Sequence, residues 1–226
     1  MTTTINESSS YAQQLSAQVL QKIFGESAQT FDLEAGTAIS NTDVRIIYLS
    51  SDIIHAIYDV LKYEAGDAWS LILKNCGSIW GKRVSASLEH ELETTAAQKL
   101  GNLTVDSYIA LLEAYFANHG WGKMRFNLDD AENHGIVRAT LNNSLFPGTL
   151  KDVNAPVDYM IAGMLQSIFS AISGQDLRST QVAYAYTGKN SSEFVISGAA
   201  RIAGLEKLKL HDMGANEALE RLRTAW

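Results

Sequence analysis

The chain has 226 residues, of which 46% are hydrophobic and 19% charged, and its formal net charge is −7. These proportions are typical of a globular protein, and the length suits one packed domain with an extension. The 18 basic residues are scattered along an acidic chain. Because phosphate binding needs clustered Lys and Arg, this charge pattern excludes nucleic acid as a general partner.

The single cysteine, Cys76, excludes an internal disulfide and favours a reducing compartment. The N-terminal stretch MTTTINESSSYAQQ has no basic region followed by an apolar run, so no secretory signal is expected. No apolar stretch approaches the roughly 18 residues of a membrane-spanning helix. We therefore expect a cytoplasmic protein without a transmembrane segment.

The first 42 residues predict an N-terminal extension with one short helix. Apolar side chains recur at a spacing of four within residues 11–24, which indicates the helix. Residues 25–43 are rich in small and polar residues and predict a linker. The main domain is accordingly expected to occupy residues 43–226.

The main domain is predicted to open with a buried strand over 44–49 and a helix after it. A second helix is expected from Asp67 to about Leu100, and Gly77 and Gly81 lie one turn apart on it. Glycine lowers helix stability, so this pair indicates the close approach of another backbone or of a ligand. The apolar stripe of this helix consists of Trp69, Ile72, Leu73, Cys76, Trp80, Val84 and Leu88.

The rest of the chain predicts two hairpins and further helices. Thr104 would cap a third helix, residues 123–128 and 135–141 would pair, and a helix after Pro156 would end at Gly174. A second hairpin is expected from 178–186 and 191–197, followed by two short charged helices. Because strands joined by hairpins are antiparallel, the order predicts an α+β fold with an antiparallel sheet packed with helices.

Motifs for common chemistries are missing or incomplete. No phosphate-binding glycine loop occurs, and in the metalloprotease-like HELETT the position of the second His is Thr94. The five histidines are dispersed along the sequence. We interpret each as an ordinary surface or helix-end residue, with axial ligation of a tetrapyrrole metal as the alternative. Cys76 is interpreted as a small buried hydrophobe, with covalent attachment of an acyl chain or bilin in an internal cavity as the alternative.

Four segments carry a family resemblance. They are GSIWGKRV (77–84), NHGWGKMRF (118–126), APVDYMIAGML (155–165) and YTGKNSSEFVI (186–196). In this order and spacing the chain resembles the 4-vinyl reductase domain family, as a cyanobacterial-type member. The resemblance implies an α+β fold shared with vesicle-tethering subunits, a hydrophobic ligand cavity and a homodimer.

Metal-binding members of that family use three Cys and one Glu as zinc ligands. Carried over onto this chain, the four positions are Asp158, Ser179, Tyr184 and Ser192. Neutral hydroxyl groups are poor zinc ligands, so no metal is expected. In the hairpin we expect Tyr184 opposite Ser192, Val182 opposite Phe194 and Thr180 opposite Ile196, all on one buried face.

The main functional hypothesis is a non-catalytic binding protein for an apolar or tetrapyrrole-like molecule. The resemblance implies an accessory factor in pigment metabolism or photosystem assembly, with pigment-protein partners, in the cytoplasm or peripherally at the thylakoid membrane. The alternatives are an interaction module without ligand and a vinyl reductase, although no nicotinamide, flavin or iron–sulfur signature is present. The predicted pocket consists of Trp69, Cys76, Trp80, Phe116, Trp121, Met160, Met164 and Tyr184.

Overall fold

The computed structural model describes residues 14–25, 28–40, 43–149, 156–184, 191–208 and 214–224. Their helices include four of 14 or more residues, which contribute to the main core, and several shorter ones around it. In chain order they are α1 (Ala17–Phe24), α2 (Ser51–Ala65), α3 (Trp69–Ala96), α4 (Val105–Asn118), α5 (Ala131–His134), α6 (Leu145–Thr149), α7 (Tyr159–Ser173), α8 (Ala199–Glu206) and α9 (Ala215–Thr224).

The strands of the described residues form two antiparallel sheets. The small sheet has the order β1-β2-β3 and the large one β4-β5-β7-β6. This arrangement confirms the predicted α+β class with an antiparallel sheet packed with helices. The strands are β1 (Gln29–Asp32), β2 (Thr37–Ser40), β3 (Arg45–Ile46), β4 (Lys123–Asn127), β5 (Val137–Asn142), β6 (Leu177–Ala183) and β7 (Ser191–Gly198).

The N-terminal region differs from the prediction. Residues 29–40 form a hairpin rather than a linker, and the Asp32 carboxylate accepts hydrogen bonds from the turn amides of Glu34 and Ala35. The expected buried strand over 44–49 is reduced to β3, which pairs with β2 across the predicted boundary at residue 43. The apolar residues that follow β3 are exposed, because they lie outside the main core: Ile47, Tyr48 and Leu49.

The large sheet is covered by helices on both faces. Its inner face contributes Met124, Leu141 and Phe194 to the main core, together with α3, α4 and α7. Its outer face contributes Val182 and Val195 to a second, smaller core under α8 and α9. Alternating residues of one strand are therefore buried in two different cores.

The predicted pairing of the second hairpin is wrong by one residue at Thr180 and Val182. Gln181 lies opposite Phe194 and Ser179 opposite Ile196, and the register shifts between Gln181 and Ala183. Thr180 and Val182 consequently face away from Phe194, toward α8 and α9. The apolar Val182 indicated a position on the inner face of the sheet. That prediction depended on a contrast between a buried apolar face and an exposed polar face, and here both faces are buried.

Helices α3 and α7 approach until their backbones touch. A Cβ atom added at Gly77 would lie 1.9 Å from the carbonyl oxygen of Met160, and one at Gly163 would lie 1.9 Å from that of Lys74. At Gly81 the corresponding distance to the Met164 oxygen is 2.6 Å. The glycines of α3 therefore accommodate another backbone, and they leave no room for a ligand between these two helices.

Two other boundaries differ from the predictions. Helix α6 lies where a loop was expected, and α8 begins at Ala199 rather than near Gly204. The Thr104 cap is confirmed, because its hydroxyl accepts from the Ser107 amide at 3.2 Å. Among the helices of the described residues, none is long and apolar enough to cross a membrane.

Candidate ligand-binding site

Six aromatic side chains from four helices and one turn form a continuous cluster. Successive ring centroids lie 4.7 Å apart for Trp80–Trp121, 6.0 Å for Trp121–Phe146 and 5.2 Å for Phe146–Tyr58. The chain of contacts continues from Tyr58 to Trp69 at 5.8 Å and from Trp69 to Tyr159 at 5.3 Å. We call this set the aromatic cluster: Tyr58, Trp69, Trp80, Trp121, Phe146 and Tyr159.

The aromatic cluster is buried at its base and partly open at its rim. Tyr58 and Phe146 are almost fully buried, whereas the three tryptophans are half-buried against the main core. Lys62 places its ammonium 4.8 Å from the centre of the Trp69 ring, a cation–π geometry. Half-buried tryptophans in contact with one another present flat apolar area that a small molecule can cover.

The Trp121 ring reaches the cluster because the turn after α4 has an unusual backbone. Gly120 has φ of +71° and Gly122 has φ of +122°, conformations that side chains other than glycine rarely adopt. A Cβ atom at Gly122 would also lie 2.7 Å from the carbonyl oxygen of Asn142. The sequence GWG thus fixes the direction of the one side chain between its two glycines.

The same turn borders an open groove of about 600 Å³ between α4 and β4. One wall is formed by Ala110, Ala114 and Ala117 of α4. Glu113 forms an ion pair with Arg125 across the groove, and its carboxylate accepts from the Phe126 amide of the edge strand at 3.3 Å. The groove therefore combines a small-residue wall with a fixed ion pair, and it is more polar than the aromatic cluster.

Beside the cluster, a fully buried carboxylate organises the start of α7. Asp158 occupies the N-cap position, yet its side chain turns toward the hairpin instead of capping the helix. Its Oδ1 accepts from Ser144 at 2.5 Å, and its Oδ2 accepts from Gln181 at 3.0 Å and from the Ser192 hydroxyl. The Asp158 amide in turn donates to Gln181 Oε1 at 3.1 Å. We call these four residues the Asp158 network.

Burial dominates the electrostatics of this network. It raises the pKa of the Asp158 carboxyl, and the three hydrogen bonds to the carboxylate oppose that rise. The adjacent Tyr58 donates its hydroxyl to the Val157 carbonyl at 3.0 Å. Burial also raises the pKa of Tyr58, and the nearby Asp158 charge adds to the effect. The site thus holds a neutral tyrosine next to an almost solvent-free carboxyl group.

Of the four positions carried over from the zinc ligands of the 4-vinyl reductase family, only some lie in contact with one another. Asp158 and Ser192 are hydrogen-bonded to each other, whereas the Ser179 hydroxyl is buried without a hydrogen-bond partner among the described residues. Tyr184 is half-buried and directly follows β6. Within the residues that the structure describes, no group of three His, Cys, Asp or Glu side chains could hold a metal ion.

The other predicted pocket residues lie in different surroundings. Phe116 and Met164 are fully buried in the main core, and Met160 is half-buried on α7. Cys76 is exposed on α3, so the interpretation of a buried hydrophobe or of an attachment point in an internal cavity is wrong. The predicted stripe fails at Ile72 and Cys76, because contact with α7 turns Leu73, Gly77 and Gly81 inward instead.

Several residues of the site are not predicted from the sequence. Ser144 and Phe146 lie in the segment that was predicted to be a loop, and nothing local distinguishes them there. Gln181 offered a signal, since an amide within an otherwise buried strand needs a polar partner. Tyr58 lies in the helix predicted after residue 49, but nothing in the local sequence reveals its hydrogen bond to Val157.

Solved structures with a similar overall fold include a sensory domain, a trafficking-complex subunit and a reductase-family protein. A crystal structure of the phenol-responsive sensory domain of the transcription activator PoxR, with phenol, aligns with a TM-score of 0.61 and 15% identity, over 93% of this chain and 99% of that domain. A trafficking protein particle complex subunit 3 from Naegleria fowleri, covalently bound to palmitic acid, aligns with a TM-score of 0.46 and 12% identity. That alignment covers 65% of this chain and 93% of the subunit. A vinyl-4-reductase family protein from Methanocaldococcus jannaschii aligns with a TM-score of 0.41 and 15% identity. That alignment covers 67% of this chain and 98% of the other protein.

The alignment with the phenol-responsive sensory domain shows that the two proteins share a fold. The chain matches no known family model and no curated protein. The similarity to the sensory domain extends over nearly the whole of both chains. Membership of the 4-vinyl reductase family stays a prediction from the four sequence segments.

Proposed function

We propose that this chain is a non-catalytic binding protein for a small apolar molecule that is held by the aromatic cluster. The observation that carries the proposal is the set of three half-buried tryptophans, Trp69, Trp80 and Trp121, over a buried aromatic base. Flat apolar rings with partial solvent access provide contact area for a ligand. The fold shared with a phenol-responsive sensory domain supports the same class of function.

The ligand is expected to change tryptophan fluorescence directly. Three of the four tryptophans of the chain belong to the cluster. Titration with phenol, palmitate and protoporphyrin IX, followed by emission and by the melting temperature, should identify at least one that binds. If none of these probes alters either signal, the proposal is wrong.

A variant within the cluster should weaken that binding. Trp121→Leu removes the ring that contacts both Trp80 and Phe146, and a loss of about 1.4 kcal/mol, a tenfold weaker affinity, is expected. Tyr63→Leu is the matched control, because Tyr63 is 85% exposed on α2 and lies outside the cluster. Equal affinities of the two variants would contradict the placement of the ligand.

The finer proposal is a tetrapyrrole ligand and an accessory role in pigment metabolism or photosystem assembly, with a peripheral location at the thylakoid membrane. It rests on the resemblance to the 4-vinyl reductase family. Tighter binding of protoporphyrin IX than of phenol and palmitate would support it. The absence of catalysis is part of the same proposal, and turnover of a divinyl pigment with added reductant would contradict it.

The alternative of an interaction module is favoured by one surface feature. The outward face of α2 exposes Ile53, Ile57 and Val60, with exposed fractions of 47%, 43% and 59%. They are separated by four and three residues, the spacing of one helix face. Apolar residues repeated along one helix face are suited to packing against another protein surface. We propose that a second copy of the chain covers this face, which gives a homodimer.

The double variant Ile57→Glu/Val60→Glu should convert this dimer to a monomer in native mass spectrometry. Two carboxylates in the contact would be desolvated without partners, which disfavours association strongly. Leu71→Glu is the control, since Leu71 is also exposed but lies on α3. A monomeric wild-type protein, or a dimer that persists in the double variant, would exclude this interface.

A further inference from the structure

A polar cavity of about 230 Å³ lies on the outer face of the large sheet, under the start of α9. Its floor is formed by side chains of the central strands β5 and β7, and its roof by α9. The lining residues on which the argument depends are Arg138, Thr140, Glu193, Ala215 and Asn216. The cavity is on the opposite side of the sheet from the main core and is separate from the aromatic cluster.

Arg138 brings an uncompensated positive charge to this cavity. Its side chain is half-buried, and its Nε is buried without a hydrogen-bond partner in the described part of the chain. Asp130 interacts with it only through space, because that carboxylate is already bound by Arg223 at 3.0 and 2.8 Å. The Arg138 guanidinium therefore keeps donors available for an acceptor in the cavity.

Glu193 brings a negative charge to the same cavity. Thr140 lies opposite Glu193 and Arg138 lies opposite Val195, so the two charged residues occupy diagonal positions on one face of adjacent strands. Glu193 is half-buried, and within the described residues it has no ion pair at 4.0 Å or less. Two opposite charges thus line one cavity without neutralising each other.

The start of α9 adds a second feature that favours an anionic group. Ala215 and Asn216, the first residues of this ten-residue helix, line the cavity. The free amides and the dipole of a helix N-terminus stabilise negative charge nearby. The cavity is thus lined by two features that favour an anionic group, the Arg138 guanidinium and the start of α9, and by one that favours a cationic group, the Glu193 carboxylate.

We propose that this cavity binds a small zwitterion of the α-amino acid type. The carboxylate would lie between the Arg138 guanidinium and the N-terminus of α9, and the ammonium group would lie at Glu193. At ~30 Å³ per water the cavity holds about eight waters, which matches a ligand of roughly six to eight non-hydrogen atoms. L-Alanine, L-serine and L-threonine have this size and charge pattern.

The experiment is a calorimetric titration of the full chain with L-alanine and L-serine at millimolar concentration, with acetate and methylamine as single-charge controls. We expect the amino acids to bind and to raise the melting temperature, since a ligand of the native state stabilises it. Acetate and methylamine should bind at least about tenfold more weakly, because each lacks one of the two charges. No binding of either amino acid would overturn the proposal.

Two variants test the assigned charges. Arg138→Gln and Glu193→Gln should each weaken binding of L-alanine by about tenfold or more, since each removes one charged partner. Arg178→Gln is the matched control, because Arg178 is exposed on β6 and does not line the cavity. Equal binding of acetate and L-alanine, with no effect of Glu193→Gln, would contradict the zwitterion. Binding of phenol or protoporphyrin IX at the aromatic cluster is unaffected by either result.

Discussion

Gly77→Ala is expected to destabilise the protein by at least about 3 kcal/mol, although alanine is the better helix former. The added Cβ would lie 1.9 Å from the carbonyl oxygen of Met160. Since a backbone oxygen of a packed helix cannot rotate away, α3 and α7 would have to separate along their whole contact. Urea unfolding of the variant, followed by circular dichroism, measures the loss.

The matched control for this prediction is Gly204→Ala on α8. No atom lies within 4 Å of a Cβ atom built at Gly204. The same substitution should there be neutral or stabilise by up to about 1 kcal/mol, because alanine loses less backbone entropy in a helix. Equal unfolding midpoints of the two variants would show that the helices do not touch at Gly77.

Asp158→Ala is expected to cost about 3–5 kcal/mol, the second large effect. The substitution leaves the Ser144 and Ser192 hydroxyls and the Gln181 amide without their acceptor in a buried site. Asp158→Asn should cost less, because the amide keeps one oxygen acceptor and the same shape. Denaturant unfolding of the two variants beside the wild type provides the test, and a loss for alanine no larger than that for asparagine would contradict the network.

The same network gives a pH dependence whose sign follows from the pKa of Asp158. Burial raises that pKa above its ordinary value of 3.8, so the folded protein binds a proton that the unfolded chain releases. The stability from this proton is fully present below about pH 3.8 and is lost as the pH rises through the raised pKa. The difference in free energy of unfolding between wild type and Asp158→Asn should therefore shrink with rising pH, and a constant difference would refute the assignment.

The site illustrates why some residues were predictable and others were not. Trp80 and Trp121 are predicted pocket residues because aromatic rings supply flat contact area, and the structure brings their rings to 4.7 Å. Phe116 and Met164 are also apolar and are also predicted pocket residues, but they are fully buried in the main core. A sequence shows that a residue is apolar, whereas its surroundings decide whether it faces a cavity or other side chains.

The sequence by itself determined the class of the fold, the helices α3, α4 and α7, and the two hairpins of the large sheet. Local signals suffice there, because helix periodicity, the Thr104 cap and Gly174 after α7 act within a few residues. Through the resemblance to the 4-vinyl reductase family, it also predicted that Asp158, Ser179, Tyr184 and Ser192 stand at the metal-ligand positions of that family.

Only the tertiary structure decided how those positions are used. It set the register of β6, buried both faces of the large sheet, and joined Asp158 to Ser192 and Gln181 across the hairpin. It also turned Cys76 outward, because the backbone of α7 occupies the adjacent face of α3. Contacts between residues far apart in the chain depend on packing and on the desolvation of polar groups, which no local pattern encodes.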